Sequence, residues 1–584
     1  MFLFNTNPMK KFLILILLSV SFSFISTHLN AQLPTITSFT PSSGSPGTLV
    51  TIIGTNLLSP TVFTIGGATA IEISNTGTKL VGMVMPASVT GTVSLTTVSG
   101  TAISSGNFTV TATPYPSVQQ GSKLVGACAV SIASVGASVS LSADGNTGVI
   151  GATGNWRGAT LAYTRSGGIW SQQGVCLLDT GAGSYAGQGT AVSLSADGNT
   201  AIVGAINDVG AWIYTRSAGI WTQQGGKLPG TEAVGSWSPQ GCSLSADGNT
   251  AIVGGQGDSS GVGAAWVYTR SGGVWSQQGS KLVGTGAVGK PWQGHSVSLS
   301  SDGNTAIVGG RGDINTGGGG AVWIYARSGV VWTQQGSKLF GTGAIGYAAQ
   351  GEAVSLSADG NTAIVGGSND NSGVGAVWIY TRSNGIWTQQ GSKLIGTGAV
   401  GNAWQGCSVS LSADGNTAIV GGDYDNSETG AVWVYTRLGG VWTQQGSKLV
   451  GTGSVGPYVY QGGSVSLSSD GSTALIGGPG DAAWVFVSSA TVGIENANTS
   501  IKQLSVYPNP NSGMFTVSPS DFECRTICEG DYSIVNSIGE IVQSFKLNAI
   551  NNYSMEIENL SSGLYYIVGY NENQMTGQKV LVAK

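Results

Sequence analysis

The chain has 584 residues, of which 9% are charged, 41% are hydrophobic and 95 are glycine, and its net charge is −5. That apolar content excludes a disordered chain, and the length calls for several domains. A weakly acidic balance gives no basic field for nucleic acid or anionic lipid, so neither is an expected partner.

At the N-terminus, Lys10 and Lys11 precede the apolar run Phe12-Leu13-Ile14-Leu15-Ile16-Leu17-Leu18, and small and polar residues follow to Ala31. This is the order of a secretory signal peptide over residues 1–31. No later stretch is apolar for long enough to predict a transmembrane helix. Six cysteines are too few to staple so long a chain, and none has zinc-ligand spacing. Cys524 and Cys528 are close enough to form a local pair.

Residues 32–112 alternate apolar and polar positions, as in Val50-Thr51-Ile52 and Val62-Phe63-Thr64-Ile65, with frequent Gly, Pro and Asn breaks. The pattern predicts a small β-sandwich. In Ile36-Thr37-Ser38-Phe39-Thr40-Pro41-Ser42-Ser43-Gly44 and Val50-Thr51-Ile52-Ile53-Gly54-Thr55-Asn56-Leu57 the segment resembles the IPT/TIG family of immunoglobulin-like modules. The resemblance implies a spacer or a recognition module of a surface protein.

Residues 113–489 repeat one unit. Its clearest copy reads Val354-Ser355-Leu356-Ser357, turn, Thr362-Ala363-Ile364-Val365-Gly366-Gly367, loop, Ala376-Val377-Trp378-Ile379-Tyr380-Thr381, turn, Ile386-Trp387-Thr388-Gln389-Gln390. Four β-branched and aromatic runs, two of the joints being Asp359-Gly360 and Asn384-Gly385, predict an antiparallel four-stranded sheet. The Asp-Gly turn recurs at Asp144, Asp197, Asp247, Asp302, Asp359, Asp414 and Asp470, at spacings of 50 to 57 residues. That period fits propeller blades. The seventh unit ends after its third strand, Ala483-Trp484-Val485-Phe486-Val487. A segment copying the missing end, Val118-Gln119-Gln120-Gly121-Ser122-Lys123-Leu124, precedes the first unit. An N-terminal strand completing the last blade closes a ring and removes exposed edges. The expected fold is therefore all-β, a seven-bladed β-propeller flanked by two small immunoglobulin-like β-sandwich domains. From Gln405 to Gly422, with Gly430-Ala431-Val432-Trp433-Val434-Tyr435, the repeats resemble the bacterial form of the FG-GAP family. Relatives of that family often carry an Asp-x-Asp-x-Asp-Gly calcium loop. The turns here have too few oxygen ligands for one, so no cofactor is expected. Asp423-Tyr424-Asp425-Asn426-Ser427-Glu428 is the one loop dense enough in oxygen to test for Ca²⁺.

A polar linker over residues 490–503 leads to a last module at residues 504–584. Val506-Tyr507-Pro508-Asn509-Pro510-Asn511-Ser512-Gly513, Asn536-Ser537-Ile538-Gly539 and Leu560-Ser561-Ser562-Gly563-Leu564-Tyr565-Tyr566 resemble the C-terminal sorting domain of type IX secretion cargo. The resemblance implies a small β-sandwich, handling by the type IX machinery, and surface attachment or release.

Because the repeats are nearly identical, the places where they differ are informative. After Gln-Gly the residue changes from unit to unit: Thr190, Cys242, His295, Glu352 and Cys407. In a propeller this position opens the channel-lining strand, so the set is either a tailored channel mouth or drift that solvent tolerates. Just before it, Tyr185, Trp237, Trp292, Tyr347, Trp404 and Tyr458 either ring one rim as a binding surface or pack between blades. A further set, Asp208, Asp258, Asp313, Asp370, Asp425 and Asp481, reads as solvated turns. Arg311-Gly312-Asp313 spells an adhesion tripeptide at a place where other units also carry Asp. Apart from His28 in the signal peptide, His295 is the only histidine, and no nucleophile–base or paired-carboxylate motif stands out. The expected function is a secreted or surface protein, not an enzyme, whose propeller recognises a glycan or a protein, in adhesion. The alternatives are a polysaccharide-active enzyme on the same scaffold and a passive structural component.

Overall fold

The computed structural model describes residues 32–489, except 86–87, 112–113, 129–133, 155–156, 179–185, 208–209, 236–238 and 316. Further on it describes 504–507, 514–519, 530–536, 541–548, 554–561, 563–571 and 574–582. The proposed Cys524–Cys528 pair and the signal peptide lie outside these residues.

The first compact unit ends at Thr111. Alternation puts Val50 and Ile52 on one strand, and Val93 and Leu95 on another, inward toward Phe63, Leu80 and Phe108. A four-stranded sheet (Thr35–Thr40, Leu49–Thr55, Lys79–Met83, Ile71–Asn75) and a five-stranded one close over this core as a sandwich. At the C-terminus, strands Leu504–Tyr507, Phe515–Pro519 and Met555–Ile557 form one sheet. Ile541–Leu547, Gly530–Asn536, Gly563–Asn571 and Gln574–Val582 form another. Phe515, Ile534, Phe545 and Ile567 belong to their shared core.

Between these modules lie seven four-stranded antiparallel sheets, one per repeat. Sheet one runs from Val135 to Gln172, two from Gln188 to Gln223, three from Pro239 to Gln277 and four from Ser296 to Gln334. Sheet five runs from Val354 to Gln389 and six from Ser408 to Gln444. Sheet seven takes Ser464–Leu467, Thr473–Gly478 and Ala482–Val487, and its fourth strand is Val118–Gln119. Val118 pairs with Val487 and Gln119 with Phe486, so the N-terminal strand completes the last sheet.

The repeated Val-Ser-Leu explains how neighbours join. In each innermost strand the leucine N–H donates to the serine Oγ of the preceding sheet: Leu194 to Ser140, Leu244 to Ser193, Leu299 to Ser243, Leu356 to Ser298, Leu411 to Ser355 and Leu467 to Ser410. The series ends where it began, with Leu141 donating to Ser466 of sheet seven at 3.0 Å. The sheets therefore form a closed ring, a β-propeller, with the innermost strands about the axis.

Most invariant residues are consumed by this architecture. In sheet five Asp359 accepts from Ser357 Oγ, the Asn361 N–H and Asn361 Nδ2 at 2.6 to 3.0 Å. Asn361 Oδ1 accepts from Arg382 Nε, and Arg382 reaches back to Gln335 of sheet four. The guanidinium lies 5.4 Å from the Trp387 ring centre. Gly360 stands at φ +64°, where a side chain would be strained. The Asp-Gly turn thus works as a hydrogen-bonded hairpin hub. The third-strand tryptophan is core: Trp378 is fully buried and donates to Thr342 O at 2.9 Å. The fourth-strand copies of Trp387 are only half-buried under their arginines, not full core.

The loop aspartates correct the expectation of solvated turns. Asp258, Asp313, Asp370 and Asp425 are 0–1% exposed and pair with Lys281, Lys338, Lys393 and Lys448. Each also accepts a backbone N–H, as Asp425 does from Val400. Polar turn residues read as surface in sequence, yet here each fixes one loop against a lysine some 23 to 25 residues on. Asp313 of the adhesion tripeptide is one of these buried anchors.

Candidate functional site

Seven equivalent loops meet at one end of the ring, and the residues that differ among them fall into two interleaved sets. One is the residue after Gln-Gly. The other follows the second strand and was not recognised from sequence as a set, although Arg311 and Asp423 stood out in other motifs: Ile206, Gln256, Arg311, Ser368, Asp423 and Pro479. Its signal was present, since these residues change freely while the preceding Val-Gly-Gly varies only to Val-Gly-Ala before Ile206 and Ile-Gly-Gly before Pro479. The recurring Gln-Gly is structural. Gln350 grips the backbone of Gly341 with both ends of its amide, and Gly351 stands at φ +87° with Gly310 N close to where a Cβ would be.

The two sets meet over sheets three to six. His295 Nδ1 lies 2.8 Å from Gln256 Oε1, and its Nε2 lies 3.5 Å from Glu352 Oε1. Arg311 Nη1 lies 2.6 and 2.5 Å from the two Glu352 oxygens. Burial alone would raise the Glu352 carboxyl, but the His295 hydrogen bond and charge, with Arg311, offset that and hold it below its ordinary value. Beside it, Cys407 donates toward Gly462 O at 3.4 Å and contacts Asp423. Burial, and then the Asp423 charge, push the Cys407 thiol well up. Burial likewise pushes the Asp423 carboxyl up to about 6, the Cys407 hydrogen bond opposes this, and the Glu352 and Glu428 charges add to it. The mouth therefore holds two carboxyls shifted in opposite directions, Glu352 below its ordinary value and Asp423 above it.

Two of the expected channel positions behave differently. Thr190 turns its hydroxyl to Gly187 O at 2.6 Å, and no contact joins it to the cluster. Cys242 is misaligned by sequence. Between Gln-Gly and Ser-Leu this unit has two residues fewer than the next, so Cys242 pairs with Val253 as Val297 does with Val308. It packs against the core, where burial pushes its thiol up to about 12.

The aromatic residues occupy two registers, not one ring. Trp292 and Trp404 stand three residues before the variable position, at φ +55° and +56°, with Ala349 and Tyr460 as equivalents. Tyr347 and Tyr458 stand two residues earlier and are 48% and 58% exposed. Trp292, 38% exposed, lies under Arg311 with 5.8 Å to the ring centre, and Tyr347 Oη donates to Arg311 O at 2.5 Å. Trp404 stacks on Tyr424 at 3.7 Å between ring centres. Tyr185 and Trp237 lie outside the described residues.

Cys128 and Cys176 form a disulfide. Cys176 stands where other units have the ion-pairing lysine, and Asn155 stands where they have the aspartate. One covalent link thus replaces one ion pair. Among the described residues no group of three or more His, Cys, Asp or Glu side chains could hold a metal, and no helix is long and apolar enough to cross a membrane.

Comparison with known proteins characterises the two ends of the chain. Residues 505–583 match the model of the secretion system C-terminal sorting domain, and residues 34–112 match that of the IPT/TIG domain. The sorting domain indicates export across the outer membrane to the cell surface or extracellular space, with handling by the type IX secretion machinery. No curated protein matches the chain. Among solved structures, Kuenenia stuttgartiensis hydrazine synthase is 14% identical, with TM-score 0.41, over 63% of this chain and 99% of that one. A putative 6-phosphogluconolactonase from Bacteroides uniformis is 14% identical, with TM-score 0.40, over 57% of this chain and 90% of that one.

Proposed function

We propose that this exported protein binds an extracellular glycan or protein through the propeller face over sheets three to seven, in adhesion to a surface or matrix, and does so without turnover. We also read its repeats as of the FG-GAP type. The observation carrying the proposal is the meeting of unit-specific residues (Gln256, His295, Arg311, Glu352, Asp423) beside the aromatic side chains Trp292, Tyr347, Trp404 and Tyr458. The repeated residues around them are absorbed by the scaffold. Charged groups beside partly exposed aromatic rings are the composition of binding hot spots. Screening the full-length exported protein against extracellular polysaccharides and proteins tests the reading. A ligand whose binding falls at least tenfold with Trp292→Ala or Trp404→Ala supports it, and a screen without a ligand contradicts it.

A second reading is enzymatic. It is favoured by the meeting of two carboxyls at the mouth, Glu352 held below its ordinary value and Asp423 raised to about 6, as an acid–base pair would be. Polysaccharide turnover abolished by Glu352→Gln, with binding retained, would select it. A passive structural component predicts neither ligand nor turnover.

A further inference from the structure

We propose that the part of this face over sheets six and seven binds an organic cation, an ammonium or guanidinium group, among Trp404, Tyr424, Tyr458 and Tyr460 and beside Asp423 and Glu428. The inference rests on the binding reading above and names the chemistry of one part of it.

The four rings form a continuous cluster. Trp404 and Tyr424 stack at 3.7 Å with 19° between their planes. Tyr424 and Tyr460 are tilted at 5.7 Å, and Tyr458 and Tyr460 lie 6.5 Å apart. Tyr460 Oη donates to Glu428 Oε2 at 2.8 Å, which fixes a carboxylate beside the rings. Aromatic faces carry negative quadrupole density and attract cations.

Elsewhere the propeller supplies that cation itself. Arg165, Arg216, Arg270, Arg327, Arg382 and Arg437 each lie 5.3 to 5.5 Å from the centre of a fourth-strand tryptophan. Lys227 serves Trp212, and Arg311 serves Trp292. Among the described residues no lysine or arginine lies over the four-ring cluster. The carboxylates show the same contrast. The loop aspartates Asp258, Asp313, Asp370, Asp425 and Asp481 each have a lysine and Glu352 has Arg311, whereas Asp423 and Glu428 enter no ion pair among the described residues. Asp423 Oδ1 is buried without a hydrogen-bond partner. The surrounding groups register the negative field. The Glu428 hydrogen bond, with burial, pushes the Tyr460 hydroxyl up to about 12, and burial with the Glu428 and Asp423 charges raises Tyr424.

A ligand cation would supply what both the rings and the carboxylates lack. A small hard metal ion suits the site less, because calcium requires six or more oxygen ligands and two side chains here are unpaired carboxylates. A diffuse organic cation sheds water more readily and prefers an aromatic surround.

Calorimetric titration of the full-length protein with choline, with agmatine, and with the neutral isostere of choline carrying tert-butyl in place of trimethylammonium tests this. At least one cation should bind about tenfold or more tighter than the isostere. Glu428→Gln, which keeps an acceptor for Tyr460, and Asp423→Asn should each weaken the cation several-fold at an unchanged melting temperature. Trp404→Ala should abolish its binding. Equal binding of the isostere, or cation binding indifferent to Glu428→Gln and Asp423→Asn, overturns the inference. If neither cation binds while a glycan or protein ligand is lost in Trp292→Ala, the binding reading stands and the cation site falls. If no ligand of any kind binds, both fall.

Discussion

Arg311 holds Glu352 with a single nitrogen, Nη1, 2.6 Å from Oε1 and 2.5 Å from Oε2. The first residue ends the second strand of sheet four and the second precedes the first strand of sheet five, so the bridge crosses a seam of the ring. Other units place Gln256, Ser368 or Pro479 at the Arg311 position and Thr190, Cys407 or Gly463 at the Glu352 position. The pair is thus specific to one place on a repetitive scaffold.

Arg311→Met should leave the largely buried Glu352 without its closest partner. Because Arg311 is about a third exposed, the expected loss is about 1–3 kcal/mol, below that of a fully buried pair. Glu352→Gln should cost less, and the double variant should recover part of the loss. Urea unfolding of the two single variants and the double variant measures the coupling.

The two mouth carboxyls should give opposite pH slopes. Asp423 has a folded value of about 6 against 3.8 for the free group, so the folded state holds the extra proton. Stability should fall as pH rises from about 4 through about 6, and be flat above. Glu352 has a folded value below 4.5, so its contribution is complete above that pH and is lost as pH falls through the folded value. Melting temperatures against pH should lose the first slope in Asp423→Asn and the second in Glu352→Gln.

Lys448→Met should destabilise by about 3–5 kcal/mol, because Asp425 would be left buried and unpaired. Asp425→Asn combined with Lys448→Met should be milder than Lys448→Met alone. Calcium should leave the melting temperature of the wild type unchanged, since both Asp425 oxygens already have partners. Scanning calorimetry with and without chelator checks this.

Cys176→Ala should cost about 2–4 kcal/mol by opening the loop of 48 residues between Cys128 and Cys176. Reduction of the wild type should lower its melting temperature to that of the variant. Reduction should leave Cys176→Ala itself unchanged.

The ring and its closure were legible because they rest on periodicity. The Asp-Gly spacing counts the sheets, and the copy of Gln389-Gln390-Gly391 at Gln119-Gln120-Gly121 identifies the strand that completes the last one. What could not be read was set by register and long-range pairing. Cys242 fell out of alignment because its unit has two residues fewer between Gln-Gly and Ser-Leu. Asp425 looked solvated because its lysine is 23 residues away and nothing local marks the pair. Arg311 and Asp423 follow a recurring Gly-Gly that draws attention from the residue after it. Only the fold, by facing one unit's loop to the next, makes Arg311 and Asp423 neighbours of Glu352.

Everything proposed for this face depends on unit-specific residues binding an extracellular ligand. Equilibrium binding of the full-length protein to the ligand found by screening tests it most directly. Wild type is compared with Trp404→Ala, Arg311→Met and a control, Val441→Ser, at a 67% exposed position on an outermost strand. The two face variants should lose at least tenfold in affinity while remaining folded, and the control should bind as wild type does. Undiminished binding by both face variants, or equal loss in the control, would contradict it.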